Sequence, residues 1–240
     1  MTPSSPRHVV VVGSAGDIGA AIVDHFRVRG DRVVGWQRSA PSDSSIEVVA
    51  VDVANPESIA RAAADTLERL GRIDVVVYAA GWLRLADIDE FDVDTWDEMF
   101  NVNVRGLFLV AKHLVRPGSV TALIPIGSVA AHVGANESFA YTATKGGARS
   151  LSIALAQVFA PHTRVVVVSP AWVDGGFTDQ VKAGVDSPAE IDDLAREVHL
   201  AGRMCTPEEV AHVVGFVASD GASFMTGTEV FVDGGFMVKR

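Results

Sequence analysis

The sequence predicts a three-layer α/β protein: a doubly wound, seven-stranded and mostly parallel sheet with helices on both faces, in a single domain over residues 1–240. Three observations predict it. Short valine-rich runs alternate with amphipathic segments from start to finish, the order that builds a parallel sheet with crossover helices. The runs are mostly apolar throughout, as befits strands covered on both faces. The chain has 240 residues, 48% of them hydrophobic, enough for one large core, and α/β folds often exceed the usual domain size without splitting.

The first run, HVVVVG (8–13), passes straight into GSAGDIG (13–19) and an amphipathic segment near 18–29. RVVGWQ (32–37) and EVVAV (47–51) follow, then a helical segment over 56–70. Its start is marked by Asn55 before Pro56, an N-cap followed by proline at the first helical position. DVVVYAAG (74–81) leads to a helix over 94–113, SVTALI (119–124) to one over 138–160, and RVVVVS (164–169) to the stretch 174–203. That stretch leaves the sheet and carries Gly175, Gly176, Gly184 and Gly202, and a crossover so long reads as a mobile lid. Ser187-Pro188 with Glu190 inside it, and Thr206-Pro207 with Glu209 after it, carry capping-box signatures. A helix over 206–218 and a last strand, EVFVDG (229–234), complete the order, with no internal repeat, low-complexity tract or linker.

Composition excludes several function classes. The formal net charge is −10 and no basic stripe offsets it, so nucleic acid is not an expected partner. No stretch approaches 18 uninterrupted apolar residues, and the first apolar run is too short for a signal-peptide core. A cytoplasmic protein with no membrane span is expected. The lone cysteine, Cys205, cannot form an internal disulfide, and no Cys or His cluster has metal-ligand spacing, so no metal site is expected.

Between the first strand and first helix, GSAGDIG offers a dinucleotide site: glycines permit a tight turn and close approach to a pyrophosphate, and the helix N-terminus supplies N–H groups. The spacing is G-x-x-G-x-x-G, and Asp17 stands near the phosphate position. Its carboxylate must face solvent or cap the helix, because otherwise it would repel the ligand. The presence of the extra 2′-phosphate of NADP is sensed at the end of the second strand, about 20 residues on. An acid there would favour NAD; Gln37, Arg38 and Ser39 stand there instead and suit a 2′-phosphate, predicting NADP(H) over NAD(H).

In FAYTATKGGA (139–148), Tyr141 and Lys145 are four apart. On a helix they share a face, where a cation lowers a phenol's pKa and makes it a tuned proton donor.

With these residues in view, nearly the whole chain resembles the short-chain dehydrogenase/reductase family, in its classical branch, whose Rossmann fold matches the predicted architecture. Tyr141 and Lys145 match the family's YxxxK motif, Ser128 lies thirteen positions upstream like its active-site serine, and Asn103 in FNVNVRGLF matches its catalytic helix asparagine. Asp52 in VDV, the SPAWV segment and the ending TGTEVFVDGG match as well. The resemblance implies catalysis by Asn103, Ser128, Tyr141 and Lys145. Tyr141 would donate the proton, Ser128 hold the carbonyl oxygen, and Asn103 hold a water linking Lys145 to solvent. It implies cofactor contacts at Gly13, Ser14, Asp17, Ile18 and Gly19, at Gln37, Arg38 and Ser39, and at Asp52, Val53, Ala80 and Gly81. Pro170 and Val173 would join Tyr141 and Lys145 on the nicotinamide side. The expected activity interconverts a ketone and a secondary alcohol, and the expected assembly is a homotetramer or homodimer. An epimerase or dehydratase with tightly held cofactor, or a non-enzymatic dinucleotide sensor, are the alternatives.

The sequence departs from the family pattern at supporting positions. YAAG (78–81) replaces NNAG, so Ala79 lacks an amide that normally ties strands together; PIGS (125–128) replaces NISS, so the strand should end or bulge at Pro125. Val166 stands for an asparagine, Ala171 for a glycine, and Gly175 for a threonine that usually touches the nicotinamide amide. The glycine spacing resembles the extended branch, whose longer substrate region 240 residues do not supply. Trp82, His132, Val133, Glu137, Trp172 and Phe177 are candidate substrate-pocket residues.

Overall fold

A computed structural model describes residues 6–39, 46–115, 118–134, 136–183 and 187–239. Gly184 of the expected lid lies outside them. Seven strands form one sheet: β1 (His8–Val12), β2 (Arg32–Gln37), β3 (Glu47–Ala50), β4 (Val75–Tyr78), β5 (Ala122–Pro125), β6 (Arg164–Pro170) and β7 (Thr228–Val232). Their order is β3-β2-β1-β4-β5-β6-β7, and every pairing is parallel. Valine dominates because its branched side chain packs well on a pleated surface that is covered on both sides. Val9 to Val12 and Val75 to Val77 are all fully buried.

The order reverses between β1 and β4, which opens a crevice beyond the carboxyl ends of these strands. Two cores flank the sheet. Helices α2 (Pro56–Leu70), α4 (Gly106–Leu114) and α5 (Phe139–Phe159) cover one face through Ile59, Leu107, Val110 and Leu155. Helices α1 (Asp17–Val28) and α8 (Pro207–Val217) cover the other through Ile22, Phe26, Val210 and Val214. Each large aliphatic or aromatic side chain so buried contributes roughly 1.5–3 kcal/mol. The close approach of α1 to α8 requires glycine at 215, where a Cβ would run into the His25 imidazole.

Local signals explain most element ends. The Asn55 side chain accepts from Ser58 N at 2.9 Å and caps α2, while Thr206 and Glu209 form a full capping box on α8. Pro125 ends β5, as its missing N–H requires. Two expectations are corrected. Ser187 precedes α7 (Pro188–Val198) but its side chain makes no cap bond, so only the backbone bond from Glu190 N to Ser187 O closes the turn. The predicted helix over 94–113 is also not uniform. It comprises α3 (Val93–Phe100), a π-helical turn at Asn101–Arg105, and α4. The Tyr78 hydroxyl donates to the Val102 carbonyl in that turn at 2.5 Å, an anchor no helical periodicity reveals. Where Ala79 lacks an amide, backbone bonds take over: Ala79 N donates to Val12 O and Ile126 N to Tyr78 O, both at 2.8 Å.

The stretch 174–203 carries α6 (Phe177–Ala183) and α7, joined by the Lys182–Asp192 ion pair at 2.8 Å. Among the described residues no helix is long and apolar enough to cross a membrane, and no three His, Cys, Asp or Glu residues gather as metal ligands.

Candidate active site

Each functional side chain is delivered to the crevice by a strand end or the helix that follows it. β1 ends at Val12 and turns through Gly13, whose φ of +88° and proximity to Ala80, 2.5 Å from where a Cβ would stand, admit glycine alone. The turn leads into α1, whose first N–H groups, on Asp17, Ile18 and Gly19, have no partner four residues back. They open toward a cleft of about 1000 Å³ above the carboxyl ends of the strands. That volume accommodates a dinucleotide and a small substrate.

Gln37, Arg38, Asp52, Val53, Ala80, Gly81, Pro170 and Val173 line this cleft with Gly13, Asp17, Ile18 and Gly19. Ser14 and Ser39, expected among them, do not. The Ser14 hydroxyl is buried and donates to Gln37 Oε1 at 2.9 Å, and Gln37 Nε2 donates to the Ser39 carbonyl at 2.7 Å. The Gln37 amide is thereby committed to the protein. Arg38 is exposed at the rim and enters no ion pair with another described residue. The Asp52 carboxylate accepts from Ala54 N at 2.9 Å, so it shapes its own turn while lining the cleft.

On the other side of the cleft, α5 carries Tyr141 and Lys145 one turn apart, with the Lys145 ammonium 5.5 Å from the tyrosine ring centroid. Lys145 Nζ donates to the Ile126 carbonyl at 3.0 Å, at the end of β5. Ser128, two residues farther on, turns the chain through its hydroxyl, which accepts from Ala130 N at 3.1 Å and lies near enough to the Tyr141 phenol to favour its ionised form. The expected pKa effect is corrected here. Burial pushes the Tyr141 phenol well above its ordinary value, opposed by the Ser128 hydroxyl, and burial pulls the Lys145 ammonium down to about 8. Desolvation disfavours both charges more strongly than either charge helps the other.

Asn103 sits at the centre of the π turn and is buried. Its Nδ2 donates to the Trp82 carbonyl and to Thr144 Oγ1, each at 2.9 Å, and its Oδ1 accepts from Trp82 N at 2.8 Å. The side chain therefore joins the loop after β4 to α5 beside Lys145.

Trp82, Val133, Glu137, Trp172 and Phe177, expected at the substrate pocket, line the cleft, and Phe177 meets the Tyr141 ring edge-on at 6.0 Å. His132 turns away from it. Its Nε2 lies 2.8 Å from Glu229 Oε2, and its ring packs edge-on against Phe231. Sequence reasoning missed what Glu229 does. Nearly buried on β7, it accepts from Arg149 Nε at 2.7 Å and Ser169 Oγ at 2.5 Å as well as contacting His132. One carboxylate thus ties α5, β6 and the segment after Ser128 together. An acid inside an apolar strand was the available signal, since a buried charge demands partners. Phe236, near the C-terminus, also lines the cleft and carried no signal.

A family model described as Enoyl-(Acyl carrier protein) reductase matches residues 13–237. D-threitol dehydrogenase of Mycolicibacterium smegmatis is 30% identical over 246 residues, covering 96% of this chain and 92% of that protein. Cis-4-hydroxycyclohexanecarboxylate dehydrogenase of Sinomonas cyclohexanicum is 31% identical over 245 residues, covering 96% of each. The ligand-free structure of aldohexose dehydrogenase from Thermoplasma acidophilum has a TM-score of 0.92 at 26% identity, covering 98% of this chain and 95% of that one.

Proposed function

The chain belongs to the short-chain dehydrogenase/reductase family, and from that premise we propose that it is an NADP(H)-dependent oxidoreductase interconverting a ketone and a secondary alcohol. It is an oxidoreductase acting on CH–OH donors with a nicotinamide dinucleotide. The observation that carries the finer reading is the convergence of Ser128, Tyr141 and Lys145 on one cleft with the glycine turn.

The residues present fit the dinucleotide. Gly13 leaves no room for a side chain beside Ala80, and the open N–H groups of α1 face the cleft. Gly13, Ile18, Gly19, Asp52, Val53, Ala80, Gly81, Pro170 and Val173 would hold it. Arg38, which enters no ion pair among the described residues, would meet the 2′-phosphate at the rim with charge-assisted bonds. When bound, the cofactor supplies or accepts the hydride.

The chain's own residues manage the proton. In reduction, Tyr141 donates its phenolic proton to the carbonyl oxygen, a contribution of roughly 10²–10⁴ in rate. The raised phenol pKa keeps this donor loaded at neutral pH. The Ser128 hydroxyl donates to the same oxygen and stabilises charge as it builds. Lys145, held near 8, is mostly protonated at neutral pH and would return a proton to Tyr141 downhill, because the phenol binds it more tightly. Trp82, Trp172 and Phe177 exclude water and suit a substrate with an apolar body. Assembly as a homotetramer or homodimer is carried over from the family resemblance, and analytical ultracentrifugation tests it.

The deciding experiment is a panel of aliphatic, cyclic and β-keto carbonyls with NADPH or NADH, followed by loss of reduced-nicotinamide absorbance. Turnover with NADPH preferred is expected. Redox-neutral conversion without added cofactor, or none with any carbonyl, overturns the reading, and preference for NADH overturns the assignment of Arg38.

A further inference from the structure

The glycine turn contains a charge that a pyrophosphate site has reason to avoid. Asp17 is the first residue of α1, and its exposed side chain lines the cleft without a hydrogen bond or ion pair to any described residue. Nor does it cap the helix, since the N-cap is Gly16 with no side-chain bond. It leans across the cleft onto the turn between β6 and α6. A Cβ at Gly175 would lie 2.5 Å from Asp17 Oδ2 and 3.2 Å from its Cγ, and a Cβ at Gly176 would lie 3.4 Å from Oδ2. Both glycines have positive φ, +86° and +54°, so this turn is built without side chains where the carboxylate rests. Asp17 and Gly175 are therefore a matched pair: the acid fills the space that position 175 leaves empty.

We propose that Asp17 is an affinity-limiting residue of the dinucleotide site, a fixed negative charge set against the cofactor's pyrophosphate that weakens its hold and speeds its release. The inference rests on the dinucleotide reading above. The N-terminus of α1 attracts anions through its open N–H groups, while a carboxylate on the same turn opposes the same anion at close range. At the effective dielectric of a partly open cleft, one unit charge within several ångströms changes affinity by about tenfold. Because Asp17 is exposed, the opposition is screened by salt. Cofactor affinity in this chain then reflects the difference between the two effects, and release is faster than the glycine turn alone would give.

Isothermal titration calorimetry of the full chain with NADPH tests this against Asp17→Asn, which keeps shape and removes charge, and Asp17→Gly. Both variants are expected to bind NADPH about tenfold more tightly than the parent in 20 mM salt, with the gap narrowing in 0.5 M salt. The fragment 2′,5′-ADP, which keeps only one of the two phosphates of the pyrophosphate, gains less. Unchanged or weaker binding in Asp17→Asn refutes the proposal, as does a gap that salt leaves untouched, which would mark a steric origin. If neither parent nor variants bind NADPH or NADH, the dinucleotide reading fails and this proposal with it. Stopped-flow release of NADPH gives an independent readout, expected to slow in both variants.

Discussion

Lys145 Nζ donates to the carbonyl of Ile126 at 3.0 Å, fastening the helix that carries Tyr141 to the strand end that leads to Ser128. The ammonium is buried, and burial pulls its pKa down to about 8 from an ordinary 10.5. Between these two values the unfolded chain binds a proton that the folded chain does not, so stability rises with pH across that window. Below it the penalty is complete. Lys145→Met is therefore expected to be more stable than the parent at pH 7, by on the order of 3 kcal/mol at most, with the difference shrinking from pH 8 to 10. Denaturant midpoints across this range check it, while carbonyl reduction by the variant should fall at every pH.

Tyr141→Phe would remove the proposed proton donor and little else. Turnover is expected to fall by roughly 10²–10⁴-fold, with the NADPH dissociation constant within about threefold of the parent. Residual activity above a tenth of the parent's would remove Tyr141 from the chemistry.

Asn103→Ala leaves the Trp82 backbone groups and the Thr144 hydroxyl without their shared partner. A loss of about 2 kcal/mol is expected, lowering the melting temperature by roughly 4–8 °C. Asn103→Asp, which cannot donate from Nδ2, should be no better. Calorimetric melting separates this structural cost from catalysis measured well below the transition.

At Glu229, burial works to raise the carboxyl pKa, and the bonds from Ser169, Arg149 and His132 overcome it, leaving the group below its usual range. Its contribution is present above the ordinary glutamate value and lost as pH falls through the folded value. Glu229→Gln should cost on the order of 2 kcal/mol at pH 7, and the two proteins should converge in stability in acid. A constant gap down to pH 3 would show that the network's charge is immaterial.

Arg38→Ala is expected to raise KM for NADPH about tenfold or more and leave KM for NADH nearly unchanged, because only the 2′-phosphate would meet the guanidinium. Equal changes for both cofactors would place Arg38 outside that contact.

The seven strands and the Tyr141–Lys145 spacing were legible because local rules govern them: burial on both faces selects apolar runs, and helix geometry puts positions i and i+4 on one face. Pro125 ended its strand for an equally local reason. What was not legible depends on groups distant in sequence. The direction of the Tyr141 and Lys145 shifts follows from how deeply the fold buries them, which a four-residue spacing does not encode. His132 was drawn from the pocket by Glu229, 97 positions away. Ser14 faced β2 because Gln37 offered a half-buried acceptor there. Ser187 has a cap's identity without a cap's bond, although Asn55 and Thr206, each likewise followed by proline, make theirs.

The π turn at Asn101–Arg105 works like an extra tooth in a gear. One added residue advances everything beyond it by about 100° around the axis, so α3 and α4 show different sides to their neighbours although they form a single rod. Deleting one residue from the turn would restore an unbroken screw and swing Asn103 out of line with Trp82 and Thr144. A shorter and more regular rod would then hold the loop after β4 less well, which makes an irregular helix the better scaffold at this point.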